Sequence, residues 1–126
     1  MNGNQTKMSK LTETYDLYEV VKVPFPFADV NTKKIRPALI ISSSKHFNTK
    51  IGMSVMAMIT SLKPAKNLWP TDLIIENLKD TGLSVSSIIR FKIFTLDHRL
   101  ILGGLGRLGR EDQQKVHQKL KEILIL

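Results

Sequence analysis

Tyr18-Glu19-Val20-Val21-Lys22-Val23-Pro24-Phe25-Pro26-Phe27, followed by Arg36-Pro37-Ala38-Leu39-Ile40-Ile41-Ser42, decides the fold class. Both stretches are short, β-branched and apolar, and both are punctuated by proline, which suits strands and not helices. Pro24 and Pro26 limit the first run to an edge strand or to a strand's end, because proline cannot donate to a ladder. The polar loop from Asp29 to Lys34 joins the two runs. Met53 to Ile59 reads as a third strand, apolar on both faces and therefore central. Leu62 to Pro70 is a proline-containing loop, Leu73-Ile74-Ile75 a short strand, Asp80-Thr81-Gly82 a turn, and Ser86 to Thr95 a further strand. Gly103-Gly104-Leu105-Gly106 has neither the lysine nor the strand–helix context of a phosphate loop, and it reads as a flexible turn closing the strand region. One long helix is expected, over Arg110 to Leu124. Glu111 and Asp112 sit in its first turn and lysines further along, and Val116, Leu120, Ile123 and Leu124 form one apolar stripe that packs on the sheet. The expectation is a mainly β domain, a small and mostly antiparallel barrel with a C-terminal helix.

Outside this core, residues 1–17 are polar and aperiodic and read as an N-terminal leader to a single domain spanning 18–126. The chain has 126 residues, enough to bury a core without a disulfide or structural metal. It contains no cysteine, which excludes a disulfide framework, thiolate zinc sites and a thiol nucleophile, and which fits a reducing cytoplasm. No signal peptide and no run of about 20 apolar residues is present, so no membrane association is expected. Nineteen Lys and Arg against eleven Asp and Glu leave a net charge of +8. The excess is spread over both halves, +5 in residues 1–63 and +3 in residues 64–126, so it is no detachable basic tail. Such a surface favours a polyanionic partner, nucleic acid or an acidic peptide, although it also serves plain solubility.

The motifs together resemble the MazF/PemK family of toxins. Tyr18 to Phe27 is similar to the family's opening strand, with Tyr18 standing where a small residue is usual. Arg36-Pro37-Ala38-Leu39-Ile40-Ile41-Ser42 resembles the arginine–proline strand, and Ile59-Thr60-Ser61 the threonine-bearing end of the next. Ser87-Ile88-Ile89-Arg90-Phe91-Lys92 looks like the later strand, and Gly106-Arg107-Leu108 the closing motif. The correspondence runs in order from Tyr18 to Leu124. Each motif alone is weak and the ordered set is strong. The resemblance implies an SH3-like barrel, a homodimer, and cleavage of single-stranded RNA (mRNA) at short motifs. It also implies a cognate antitoxin whose acidic C-terminal tail covers the active groove, and DNA binding only together with that antitoxin.

RNA is cut without a metal or other cofactor when its own 2′-hydroxyl attacks the adjacent phosphorus. The protein must then align the attack, stabilise charge on the phosphoryl oxygens and manage two protons. Arg36 is the leading candidate, a guanidinium fork for one phosphate. Thr60 is the second, a hydroxyl donor to a non-bridging oxygen. Arg90 is the third catalytic candidate. In some relatives the arginine of this strand works in acid–base catalysis with an aspartate two residues later, but Lys92 holds that position here. An arginine, with a side-chain pKa above about 12, is a poor general base, so charge stabilisation is its better role. Asn31, Lys33, Lys34, Ser61, Lys92 and Trp69 are the RNA-binding candidates: cations for phosphates, and an indole for stacking. Phe25 and Phe27 are weaker stacking candidates, because residues alternating with prolines in a strand also serve a core. His46, His98 and His117 lie far apart, at no metal-ligand spacing. Two readings compete with a ribonuclease on this fold: a non-enzymatic gyrase poison of the CcdB type, and an inactive nucleic-acid- or peptide-binding module. The Arg36-Pro37 and Thr60 motifs favour the enzyme, because a gyrase poison needs no such pair.

Overall fold

The structure is a computed structural model that describes residues 15–25, 34–63 and 67–125. Six strands follow in order: β1 (Glu19–Phe25), β2 (Lys34–Ile40), β3 (Met53–Ser61), β4 (Leu73–Ile74), β5 (Ser87–Asp97) and β6 (Gly103–Arg107). Helix α1 spans Arg110–Leu124. The strands form one antiparallel sheet in the order β4-β5-β3-β2-β1-β6. The mainly β architecture with its C-terminal helix is the one expected.

Strand alternation gives this sheet two apolar faces. On one, Val21, Val23, Ala38, Ile40 and Met56 pack with Tyr15, Leu96 and Ile101. On the other, Val20, Leu39, Ala57, Ile59, Ile89 and Phe91 pack under Val116 of α1, with Leu120 and Ile123 alongside. This explains why β3 reads as apolar throughout: it lies inside the sheet, between β5 and β2, and both faces are covered. Leu124, assigned to the same helical stripe, is half exposed at the end of α1. β1 is no edge strand. It pairs with β2 from Val20 to Phe25 but with β6 only as far as Lys22, so Pro24 comes where one side of the strand has no partner among the described residues.

Two expectations need correction. Gly103 to Gly106 is not a flexible turn: it is β6, hydrogen-bonded to β1. One of its glycines, Gly106, serves close approach. The Asp80–Gly82 turn is laid against β6, the Arg107 amide donates to the Asp80 carbonyl at 2.7 Å, and the two ends of the sheet are thereby drawn together into a small barrel. The second correction concerns Tyr15 to Leu17, read as leader. Tyr15 is buried, its carbonyl accepts from the Asn48 side-chain amide at 2.7 Å, and its ring meets His98 edge-on at 5.5 Å. Asn48 belongs to a π-helical turn (Ser44–Asn48) that runs into one α-helical turn (Thr49–Ile51) between β2 and β3. Tyr18, at the head of β1, has φ 72°, in the left-handed region that side chains other than glycine's rarely adopt.

His98 is buried beside Tyr15, and its Nε2 lies 2.7 Å from the Ser54 hydroxyl. Burial pulls its pKa below the ordinary 6.5, against the opposing pull of Asp97 and of a backbone hydrogen bond with Met53. A histidine harder to protonate when folded than when unfolded supports the fold fully above the unfolded value. That support is lost as pH falls below about 6.5, and the loss stops once the lower folded pKa is passed. Thermal melts between about pH 7.5 and 5 should therefore show stability falling on acidification. A His98→Gln variant should lack that slope; equal slopes in both proteins would refute the assignment.

Candidate active site

β2 and β3 are antiparallel, so the start of one lies beside the end of the other. Ala38 pairs with Met58, and Arg36 and Thr60 each lie two residues beyond that pair in the same direction, on one face of neighbouring strands. The turn and loop from Gly82 to Val85 rise opposite. Together they enclose a cleft of about 520 Å³. Lys34, Arg36, Thr60 and Ser61 line it, as does Lys22; Pro37, Ile59, Leu83 and Leu105 supply apolar wall. Arg36 and Thr60 are both partly exposed. Among the described residues no ion pair holds Arg36, whose guanidinium carries five donors.

A cleft with a cationic and hydroxyl rim over apolar walls suits a phosphodiester whose sugar and base lie against the walls. Ile35 and Val85 flank it, at 67% and 53% exposure, far more than core residues of their type allow. The Ser87 hydroxyl, also in the lining, donates to the Val85 carbonyl at 2.8 Å and so helps to shape the loop. Lys22 and Ser84 were not among the sequence candidates. For Lys22 a signal existed, a lone charge inside the run Val20-Val21-Lys22-Val23. For Ser84 there was none, since only the folded loop brings it to β2.

A model of the PemK-like, MazF-like toxins of type II toxin–antitoxin systems matches residues 17–124. The chain belongs to this family. No curated protein matches it in sequence. Among solved structures it is similar to MazF from Deinococcus radiodurans, with TM-score 0.68 and 24% identity over 90% of this chain and 98% of that one. It is similar to a MazE–MazF complex from the same organism, with TM-score 0.69 and 23% identity over 90% and 97% of the respective chains. A third is an endoribonuclease in complex with its cognate antitoxin from a Mycobacterial species, with TM-score 0.68 and 19% identity over 90% and 96%. At these identities the likeness is one of fold.

Of the remaining candidates that the structure describes, Arg90, Lys92 and Trp69 fall outside the cleft. Arg90 is opposite Met58 on β5, and its guanidinium is occupied. Its Nε and Nη2 donate to the two oxygens of Asp72 at 3.1 and 2.7 Å, Nη2 also donates to the Asn67 carbonyl at 3.2 Å, and its carbon sits 4.9 Å from the Trp69 ring centre. Hydrogen bonding to Asp72 raises the Arg90 pKa, outweighing burial, and so fixes the charge more firmly. Burial alone would raise the Asp72 carboxyl, but the Arg90 hydrogen bonds, the Trp69 amide and the Arg90 charge override it, and its pKa lies below the usual carboxylate value. This arrangement opposes proton transfer by Arg90. The carboxylate beside this arginine comes from the segment before β4 and not from position 92. Lys92 is exposed within residues 91–93, which bulge opposite Ala57. Asn31 and Lys33 lie outside the described residues. His46 and His117 are exposed and His98 is buried at the other end of β3, so no histidine lines the cleft. Among the described residues no three His, Asp or Glu side chains are placed to hold a metal ion, and no helix is long and apolar enough to cross a membrane.

Proposed function

We propose that this MazF/PemK-family toxin is an endoribonuclease that cuts single-stranded RNA without a metal, at the cleft between β2 and β3. One observation carries the reading: Arg36 and Thr60, on separate strands, share the rim of one open cleft. The substrate's 2′-oxygen attacks the adjacent phosphorus and loses its proton. The bond to the 5′-oxygen breaks, and that oxygen gains a proton. The products are a 2′,3′-cyclic phosphate and a 5′-hydroxyl end. Arg36 takes the growing charge on the non-bridging oxygens through its fork, while Thr60 donates its hydroxyl to one of them. Water carries the protons.

The same basic cleft suits the acidic C-terminal tail of a cognate antitoxin, and the solved complexes with antitoxins belong to proteins of this fold. A homodimer working in the cytoplasm completes the reading. Incubation of the purified protein with a mixed RNA oligonucleotide pool in EDTA should yield fragments with 5′-hydroxyl ends. Intact RNA combined with trapped gyrase–DNA complexes would instead establish a gyrase poison.

Binding should also carry a charge signature. Each phosphate neutralised on a single strand contributes about −0.7 to the slope of log affinity against log salt. Lys34→Ala should flatten that slope by about 0.7 and weaken binding to all sequences alike. An unaltered slope would remove Lys34 from the phosphate contacts.

A further inference from the structure

The Trp69 indole is 42% exposed, yet the turn that presents it is pinned on every side. Asp72 Oδ2 accepts from the Trp69 amide at 2.8 Å and from Arg90 at 2.7 Å, and the Asp72 amide donates back to the Trp69 carbonyl at 3.0 Å. Pro70 restricts the backbone between them. The Asp72 side chain is only 4% exposed and that of Arg90 18%, so this ion pair is shielded and its charge is spent internally. What remains accessible is a flat aromatic ring backed by a guanidinium.

We propose that Trp69, held by Arg90 and Asp72, is a preformed stacking platform for an unpaired base of the RNA flanking the scissile phosphate. This rests on the ribonuclease reading of the cleft. Three observations carry it. The ring already rests against the Arg90 guanidinium, so binding costs little side-chain entropy. Arg90 is opposite Met58, and Thr60 follows Met58 by two residues, so Arg90 and Thr60 lie diagonally on one face of the β3–β5 pair. Such diagonal neighbours are about 7–8 Å apart, within the reach of a nucleotide leaving the cleft. Finally, a guanidinium whose Nε and Nη2 are taken by Asp72 and Asn67 is poorly placed as a phosphate clamp, whereas it keeps the indole in place. Arg90 is therefore a positioning residue and Trp69 the contact. Stacking on an aromatic ring tolerates every base, so the platform contributes affinity and alignment, not sequence choice.

Trp69 is the chain's single tryptophan, so its emission reports directly on this site. The wild-type protein is titrated with a pool of single-stranded 2′-O-methyl RNA oligonucleotides, which lack the attacking hydroxyl, and binding is followed in parallel by anisotropy of labelled RNA. Tryptophan emission should be quenched along the anisotropy isotherm. Trp69→Ala should weaken binding about ten- to hundredfold and Trp69→Phe should recover most of it, with both variants matching the wild type in circular dichroism. Arg90→Lys, which keeps the charge and loses the paired contacts to Asp72, should reduce the quenching. RNA binding with unchanged emission and unchanged affinity of Trp69→Ala overturns the platform and leaves the ribonuclease intact. Emission that follows protein dilution and not RNA assigns the ring to contact between copies of the chain, and equally overturns it. Failure of the wild type both to bind RNA and to cut the unmodified pool removes the ribonuclease reading itself.

Discussion

Arg36→Ala and Thr60→Ala are each expected to slow RNA cleavage by about 10²–10³-fold, the usual cost of removing one preorganised donor from a developing oxyanion. Both side chains sit at the rim of the cleft, and neither belongs to the apolar clusters on the two faces of the sheet. Their loss should leave the melting temperature within a few degrees of wild type. The conservative variants sharpen the test. Arg36→Lys keeps a positive charge but loses the planar fork, so it should restore only part of the rate. Thr60→Ser keeps the hydroxyl and should restore most of it. Double replacement should cost less than the product of the two single effects, because both groups act on one phosphate. Unchanged cleavage by both purified alanine variants would remove the pair from the chemistry.

The second large effect concerns folding. Gly106→Ala should cost about 3 kcal/mol or more, toward the upper end for overpacking, because the intruding atom meets main chain and not a flexible side chain. A Cβ at Gly106 would lie inside contact distance of the Asp80 carbonyl oxygen and 2.6 Å from the Thr81 carbonyl carbon. Relief would require the Asp80–Gly82 turn to leave β6 and give up the Arg107–Asp80 hydrogen bond. That same turn leads into the Gly82–Val85 wall of the cleft, so cleavage should fall together with stability. Gly104, two residues earlier in the same strand, is the control. A Cβ there meets nothing within 4 Å, and Gly104→Ala should be neutral or slightly stabilising through the lower entropy of the unfolded chain. Urea unfolding of the three proteins would decide the matter: equal midpoints for Gly104→Ala and Gly106→Ala would contradict close packing at the seam.

Those glycines also show where sequence reading stops. Val20, Val21, Val23 and the run from Ala38 to Ile41 announce strands by side-chain chemistry, and α1 was legible to its ends because its apolar stripe, acidic first turn and later lysines are all local signals. β6 lacks such a signal. Four of its positions carry Gly-Gly-Leu-Gly, a composition that means mobility in isolation, and only the approach of a turn from elsewhere in the chain makes it a strand. Tyr15 and His98 escape for a similar reason: the contact joins residues far apart in sequence, and nothing near Tyr15 separates it from a polar leader.

At the site, Arg36, Thr60 and Ser61 were legible because short motifs carry them. Arg90 was legible as a residue but not in its role. Its motif leaves open whether a carboxylate is near, and the one that engages it, Asp72, is supplied by a segment that shares no pattern with β5. Lys22 was visible only as a charge out of place. Ser84 depends wholly on how the loop after Gly82 folds.

The anchoring of Tyr15 on Asn48 and His98 has a practical corollary. These groups cluster where β3 begins, while the cleft opens where it finishes, and the six residue steps from Ser54 to Thr60 span about 20 Å at strand rise. The polypeptide thus enters the domain at the pole remote from its chemistry. A fluorophore or affinity handle carried on the chain ahead of Tyr15 is therefore tethered to the folded domain at a point away from the cleft.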